Sequence, residues 1–339
     1  MTHPGERNGR ASDGPPASSA TDVDRSWMGS TNRQKRRRPT AARRSSLAEE
    51  NDTLLGYIFT GPSLVILAVM LFIPMGYSIA LSLFRTSMAN SIYTFVGFRG
   101  FLDALMNGDL WRIVINSVAW TAAVVAGQLV IGMAGAMLLA DPFPGRWLVR
   151  SLVILPWVIP GVVAALMWRL IYDAQLGLLN AFLTKIGLMQ LAREDWLGDP
   201  NLALWATVLT GIWKGFPFSM VMCLAALQNV PRELYEAADM DGARPFQKFR
   251  YVTVPSISDV VRTVALLISI WTFNYFEIIW VLTRGGPVGS THIFPTFIYQ
   301  ISFRNFDYGE ASRFAVISFV IVSGFSLLYI RRLRSTRQI

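Results

Sequence analysis

Few residues in this chain are equipped for chemistry, and their positions exclude most reactions. There are two histidines, His3 and His292, and a single cysteine, Cys223, inside an apolar stretch. No metal site is expected from so few soft ligands. No Ser/His/Asp triad is credible with one histidine in a charged tail and the other in a connecting loop. The phosphate cradle G-x-x-x-x-G-K-[ST] does not occur, so the chain is not expected to hydrolyse ATP itself or to be an enzyme, and no catalytic residue is assigned. What stands out is a pair of opposite charges in apolar surroundings. Lys214 lies in Gly211-Ile-Trp-Lys-Gly-Phe-Pro217 and Glu277 ends Trp271-Thr-Phe-Asn-Tyr-Phe-Glu277. A charge at membrane depth is costly and marks a pathway, a partner or both.

Hydropathy sets the elements that must position these charges. Of 339 residues, 53% are hydrophobic and 16% charged, which describes a polytopic membrane protein rather than a soluble core. Spanning about 30 Å of hydrocarbon takes about twenty helical residues. Six stretches qualify: 57–84, 113–140, 148–172, 202–227, 260–282 and 314–330. The expectation is an all-α six-helix transmembrane domain over 53–335, preceded by a disordered basic tail over 1–52. The net charge is +9, and a basic cluster, Arg33, Lys35, Arg36, Arg37, Arg38, Arg43 and Arg44, stands just before the first span. Their placement reads as a topology signal able to touch anionic membrane lipid. Nucleic acid is not an expected partner, because aromatics do not interleave the cluster. Twenty-one Lys and Arg fall on the side of both termini and eight on the other, which predicts cytoplasmic termini.

Three spans carry local signals. Gly127, Gly132 and Gly135 in the second allow close helix packing. Ile154-Leu-Pro-Trp-Val-Ile-Pro-Gly161 in the third predicts an interrupted helix, with Trp157 beside the break either stacking on a sugar or filling space. Lys214 and Glu277 sit roughly three to four turns from the polar loop that joins their spans, so they are expected to be neighbours, as an ion pair or through a ligand. On that reading, swapping the two charges should harm the protein less than neutralising either.

The loop itself, 229–257, reads as a short helix opened by Pro231, a glycine turn at Gly242, and a second short helix begun by Pro245. Glu236-Ala237-Ala238, Gly242 and Val252-Thr253-Val254-Pro255 resemble the EAA loop of ATP-binding-cassette (ABC) importer permeases, E-A-A-x3-G-x9-I-x-L-P. Thr283-Arg-Gly-Gly-Pro287 with Tyr299, Phe303 and Asp307-Tyr308-Gly309 is similar to the MalF-like half of carbohydrate importers.

The resemblance implies a type I ABC importer permease (MetI-like) fold in a bacterial cytoplasmic (inner) membrane. It implies a permease subunit of an ATP-driven, binding-protein-dependent importer of a sugar, a di- or oligosaccharide. Implied partners are a second homologous permease, two ATPase subunits that bind ATP-Mg, and an extracytoplasmic solute-binding protein; no cofactor is expected on this chain. By the same resemblance Glu236, Ala237, Ala238 and Gly242 couple to the ATPase, and Trp157, Gly161, Gly211, Lys214, Gly215, Thr272 and Tyr275 line the substrate pathway. Several positions that are polar in the maltose importer are Gly, Ile or Lys here, so its sugar does not transfer. Two alternatives stand beside this reading. The same machinery could import a glycerol phosphate, a phosphodiester or another polyol-like solute, with Lys214 meeting the phosphate, or the chain could be an ion-coupled secondary transporter.

Overall fold

The computed structural model describes residues 41–87, 92–190 and 195–336, most of them helical. The chain divides into two units, residues 1–65 and 66–339, the boundary falling inside the first helix. That helix, α1 (Ala41–Leu81), begins within the tail expected to be disordered. Ala41-Ala42 and Leu47-Ala48-Glu49-Glu50 are strong helix formers, which accounts for the early start. The rest of the tail, residues 1–40, lies outside the described residues.

Five helical runs are long and apolar enough to cross a membrane: Tyr57–Leu81, Gly108–Leu138, Ala203–Gln228, Pro245–Leu282 and Tyr308–Leu333. The sixth is a bent pair, α4 (Arg146–Val158) and α5 (Gly161–Ile171), whose axes turn by 96°. The bend has a covalent cause. Pro160 has no N–H to return to the carbonyl four residues back, and Ile159 and Pro160 take extended ψ values of 133° and 140°. The expected interruption is therefore a complete break.

A small antiparallel hairpin, β1 (Phe84–Ser87) with β2 (Ile92–Phe95), interrupts the helical pattern after α1 and was not anticipated. Strands of four residues are too short to declare themselves by alternation. Arg313 holds the hairpin in place, its guanidinium donating to the carbonyls of Phe84 at 3.0 Å and Ser82 at 3.4 Å. Arg313 belongs to α13 (Tyr308–Thr336) and is buried, although by charge alone it belonged with the water-facing cations.

After α2 (Arg99–Met106), α3 (Gly108–Leu138) packs along α7 (Ala203–Gln228) through the expected small residues. A Cβ on Gly132 would lie 2.7 Å from the Ser219 Cβ and 2.8 Å from the Met220 backbone nitrogen, so the two backbones approach about as closely as helices can. Between α5 and α7, the short α6 (Leu178–Lys185) is fixed by buried Asn180, which donates to the Ala174 carbonyl and accepts from the Trp196 indole at 2.8 Å.

The loop after α7 contains α8 (Arg232–Met240), and Gly242 takes the left-handed φ of 72° expected of a helix-terminating glycine. The second short helix does not stand alone. α9 (Pro245–Lys248) continues through a π-helical turn, Phe249–Thr253, into α10 (Val254–Phe273) without a break. Pro255 has no N–H to give to the helical ladder, and the π-helical turn lies immediately before it. A short gap then leads to α11 (Glu277–Leu282), and a structured loop to α12 (Phe294–Phe303) and α13.

Candidate functional site

A cavity of about 120 Å³ between α3, α4, α7 and α10 brings several polar side chains together among apolar helices. Six residues named from sequence line it: Trp157, Gly211, Lys214, Gly215, Thr272 and Tyr275. The seventh, Gly161, lies beside the Tyr275 hydroxyl and the Glu277 carboxylate rather than on the lining. A side chain at position 161 would collide with that carboxylate, so glycine is what admits it.

Sequence reasoning missed the α3 contribution. Gln128, buried in the middle of the second span, donates to the Gly211 carbonyl at 3.0 Å, and its amide occupies the space a side chain on Gly215 would need. Trp120 donates its indole N–H to the Thr272 carbonyl at 2.9 Å. An amide within an apolar span is a polar group that must find a partner, and that signal could have flagged Gln128. Phe218 and Trp271 were also missed. With Trp157 they form an aromatic wall, ring centroids 5.9 and 5.1 Å apart; Trp157 and Trp271 are half exposed and both line the cavity.

Lys214 and Glu277 are within electrostatic reach of each other but not in salt-bridge contact. Lys214 Nζ instead donates to the Trp157 carbonyl at 2.8 Å. Of the two arrangements expected, an ion pair or a ligand between the charges, the direct pair is absent here, and the break in the third span is the reason. In an unbroken helix the Trp157 carbonyl would accept from residue 161; the bend frees it, and Lys214 takes it. The cation thus sits at the C-terminal, negative end of α4, and Glu277 sits against Gly161 at the N-terminal, positive end of α5. Each charge complements the helix terminus it faces.

At one end of this arrangement lies the EAA-like loop. No residue of α8 is buried, Glu236 and Ala237 are exposed, and Met240 is 89% exposed. Ala238 faces partly inward. Tyr235 shares a hydrogen bond of 3.0 Å with Thr253, and Asp239 pairs with Lys248, so α8 is fastened to the base of the run that leads to the cavity.

At the other end, the loop 283–293 is built by its own contacts. Thr291 bonds Thr283 at 2.7 Å and the Gly286 carbonyl at 2.8 Å, and the buried His292 ring lies over Gly285. Burial pushes the His292 imidazole below its ordinary value of 6.5; the Arg112 guanidinium adds to this, while Gln300 and Asp109 oppose it. Between the lowered value and 6.5 the unfolded chain binds more protons, so the loop loses stability as pH falls below about 6.5. Hydrogen exchange at Gly285 and Thr291, corrected for intrinsic rate, should quicken at pH 5 relative to pH 7, and His292→Asn should flatten the difference.

Residues 128–338 match the family described as "Binding-protein-dependent transport system inner membrane component". The chain is 32% identical over 290 residues to the trehalose/maltose transport system permease protein MalF of Thermococcus litoralis, covering 85% of this chain and 96% of that protein. It is 30% identical over 285 residues to the sulfoquinovosyl glycerol transport system permease protein SmoG of Agrobacterium fabrum, covering 84% and 92%. Its fold is similar to a chain of the solved bacterial ABC transporter involved in import of the acidic polysaccharide alginate. There the TM-score is 0.72 at 22% identity, over 86% of this chain and 99% of the other.

Proposed function

The chain belongs to the binding-protein-dependent transport system inner membrane components, and from that premise we propose that it carries a di- or oligosaccharide as one of two permeases in an ATP-driven importer. It is a transport subunit rather than an enzyme. The observation that carries the saccharide reading is the cavity, where the faces of Trp157 and Trp271 stand beside Lys214, Gln128, Thr272 and the Tyr275 hydroxyl. Ring faces match the C–H face of a sugar, and the polar groups match its hydroxyls. The names of the MalF and SmoG relatives support the same class of solute.

At about 120 Å³ the cavity is smaller than the roughly 300–1,000 Å³ of a complete ligand pocket. A second, homologous permease facing it would supply the remainder. The charge count supports cytoplasmic termini and therefore a cytoplasmic α8. In that position Glu236, Ala237 and Ala238 offer a small-faced helix to a groove on each ATPase subunit, which would bind ATP-Mg, while a solute-binding protein would deliver the sugar on the other side. Movement of α8 would pass through the Tyr235–Thr253 and Asp239–Lys248 contacts into α10 and its cavity residues.

Purifying the chain with its partners tests this. A Walker-A subunit should co-purify, and ATP hydrolysis should rise when binding protein loaded with a saccharide is added; stimulation by a non-saccharide ligand alone would overturn the sugar assignment. Gly242→Val should leave the complex assembled, since nothing lies near that Cα, but strain the left-handed turn by about 1–2 kcal/mol. Uptake should fall about tenfold while hydrolysis persists; unchanged uptake would count against coupling through α8.

A further inference from the structure

Helices α11 and α12 carry a second set of aromatic rings that the cavity does not use. Phe276 stacks on Trp280 with centroids 5.5 Å apart, Trp280 meets Tyr299 edge-on at 4.6 Å, and Tyr299 lies 4.9 Å from Phe303. The Arg304 guanidinium sits over Trp280 at 5.5 Å. The spacing i, i+4 on each helix brings the pairs into line.

Three observations set this row apart from ordinary packing. None of its four rings belongs to the hydrophobic clusters of the core, although their neighbours Ile278, Ile279 and Ile301 do. Phe276, Trp280 and Tyr299 are partly exposed, and Phe303 is 59% exposed. The Trp280 indole N–H and the Tyr299 hydroxyl have no hydrogen-bond partner among the described residues, and Arg304 has no ion pair there.

The row also has a direction. Phe276 directly follows Tyr275 on the cavity lining, about 3.8 Å away along the backbone. Phe303 lies beyond the end of α10 that is remote from the coupling loop, just before α13 turns back toward it; Tyr329 near the far end of α13 bonds the Arg262 carbonyl in the first half of α10.

We propose that Phe276, Trp280, Tyr299 and Phe303, with Arg304 at the rim, form a guiding strip along which a saccharide passes into the cavity from the end remote from α8. This rests on the saccharide reading above. A sugar ring presents an apolar C–H face to Tyr299 and Phe303 and, where it displaces the Arg304 guanidinium, to Trp280, and hydroxyls to the free N–H, O–H and guanidinium groups. Platforms about 5 Å apart let the solute contact the next ring before it leaves the last. No single position then holds it deeply.

The test uses the whole complex in proteoliposomes, with labelled trehalose, maltose, maltotriose and raffinose offered on the binding protein. Combined Trp280→Leu, Tyr299→Leu and Phe303→Leu should lower uptake of the carried sugar about tenfold, while hydrolysis stimulated by loaded binding protein stays within about twofold. Trp280→Phe with Tyr299→Phe should recover most of the loss. Unchanged uptake in the leucine variant would show the strip to be covered by lipid or by a partner helix, and joint loss of uptake and hydrolysis would show it to be packing; either overturns the strip alone. A wild-type complex that carries none of the four sugars overturns the saccharide reading and the strip with it.

Discussion

Lys214→Met should reduce solute uptake about a hundredfold, and Glu277→Gln only about tenfold, in proteoliposomes holding equal amounts of assembled complex. The difference follows from what each charge faces. Removing Lys214 strips the Trp157 carbonyl of its donor and leaves Glu277 without the cation that balances it. Loss of a hydrogen bond from a charged donor costs about 1.5–3 kcal/mol, the upper end of which is about two decades. Glu277→Gln leaves the Lys214–Trp157 contact intact and loses one interaction with the start of α5. The charge swap Lys214→Glu with Glu277→Lys should not restore uptake, because a carboxylate at 214 would face the Trp157 carbonyl with nothing to donate. This reverses the expectation from residue types alone. Full activity of the swapped pair would show that the two side chains act only on each other.

Gly132→Val should prevent accumulation of folded chain, and Gly132→Ala should destabilise it by about 3 kcal/mol, the upper part of the usual cost of overpacking. The neighbour at 2.8 Å is the backbone nitrogen of Met220, which cannot rotate away as a side chain can. Gly135→Ala is the control. There the nearest atom is the Met220 sulfur at 3.1 Å, on a side chain with several rotatable bonds, and the cost should stay below about 1 kcal/mol. Thermal unfolding of detergent-solubilised protein would rank the two, and equal loss at both positions would mean that α3 and α7 can separate freely.

What could be read from residues alone divides by physical type. Hydropathy located five helices long and apolar enough to cross, because the membrane imposes length and apolarity on each, and Pro156, Pro160 and Gly161 disclosed the break in the stretch 148–172. The cavity side of α7 and α10 was legible through Lys214 and Thr272. The partner of Lys214 was not, because it is a backbone carbonyl made available by a bend, and no residue type announces that. Gln128 was overlooked because attention fell on charges, although an amide in hydrocarbon carries the same demand in weaker form. The ring pairs 276/280 and 299/303 each show in sequence, but their alignment depends on the path of the loop 283–293, whose form comes from Thr283, Thr291 and His292 together.

The π-helical turn at Phe249–Thr253 has a rotational consequence. Each residue of an α-helix advances the side-chain direction by about 100°, so the residue count between α8 and the cavity fixes an angle as well as a distance. One residue fewer in that turn would swing Ile268 and Thr272 about a quarter-turn around the axis of α10, away from Trp120 and the cavity. The wide turn therefore acts as a phase setting: it lets the loop end meet one surface while the same unbroken run, through α9 and α10, presents its cavity face to another.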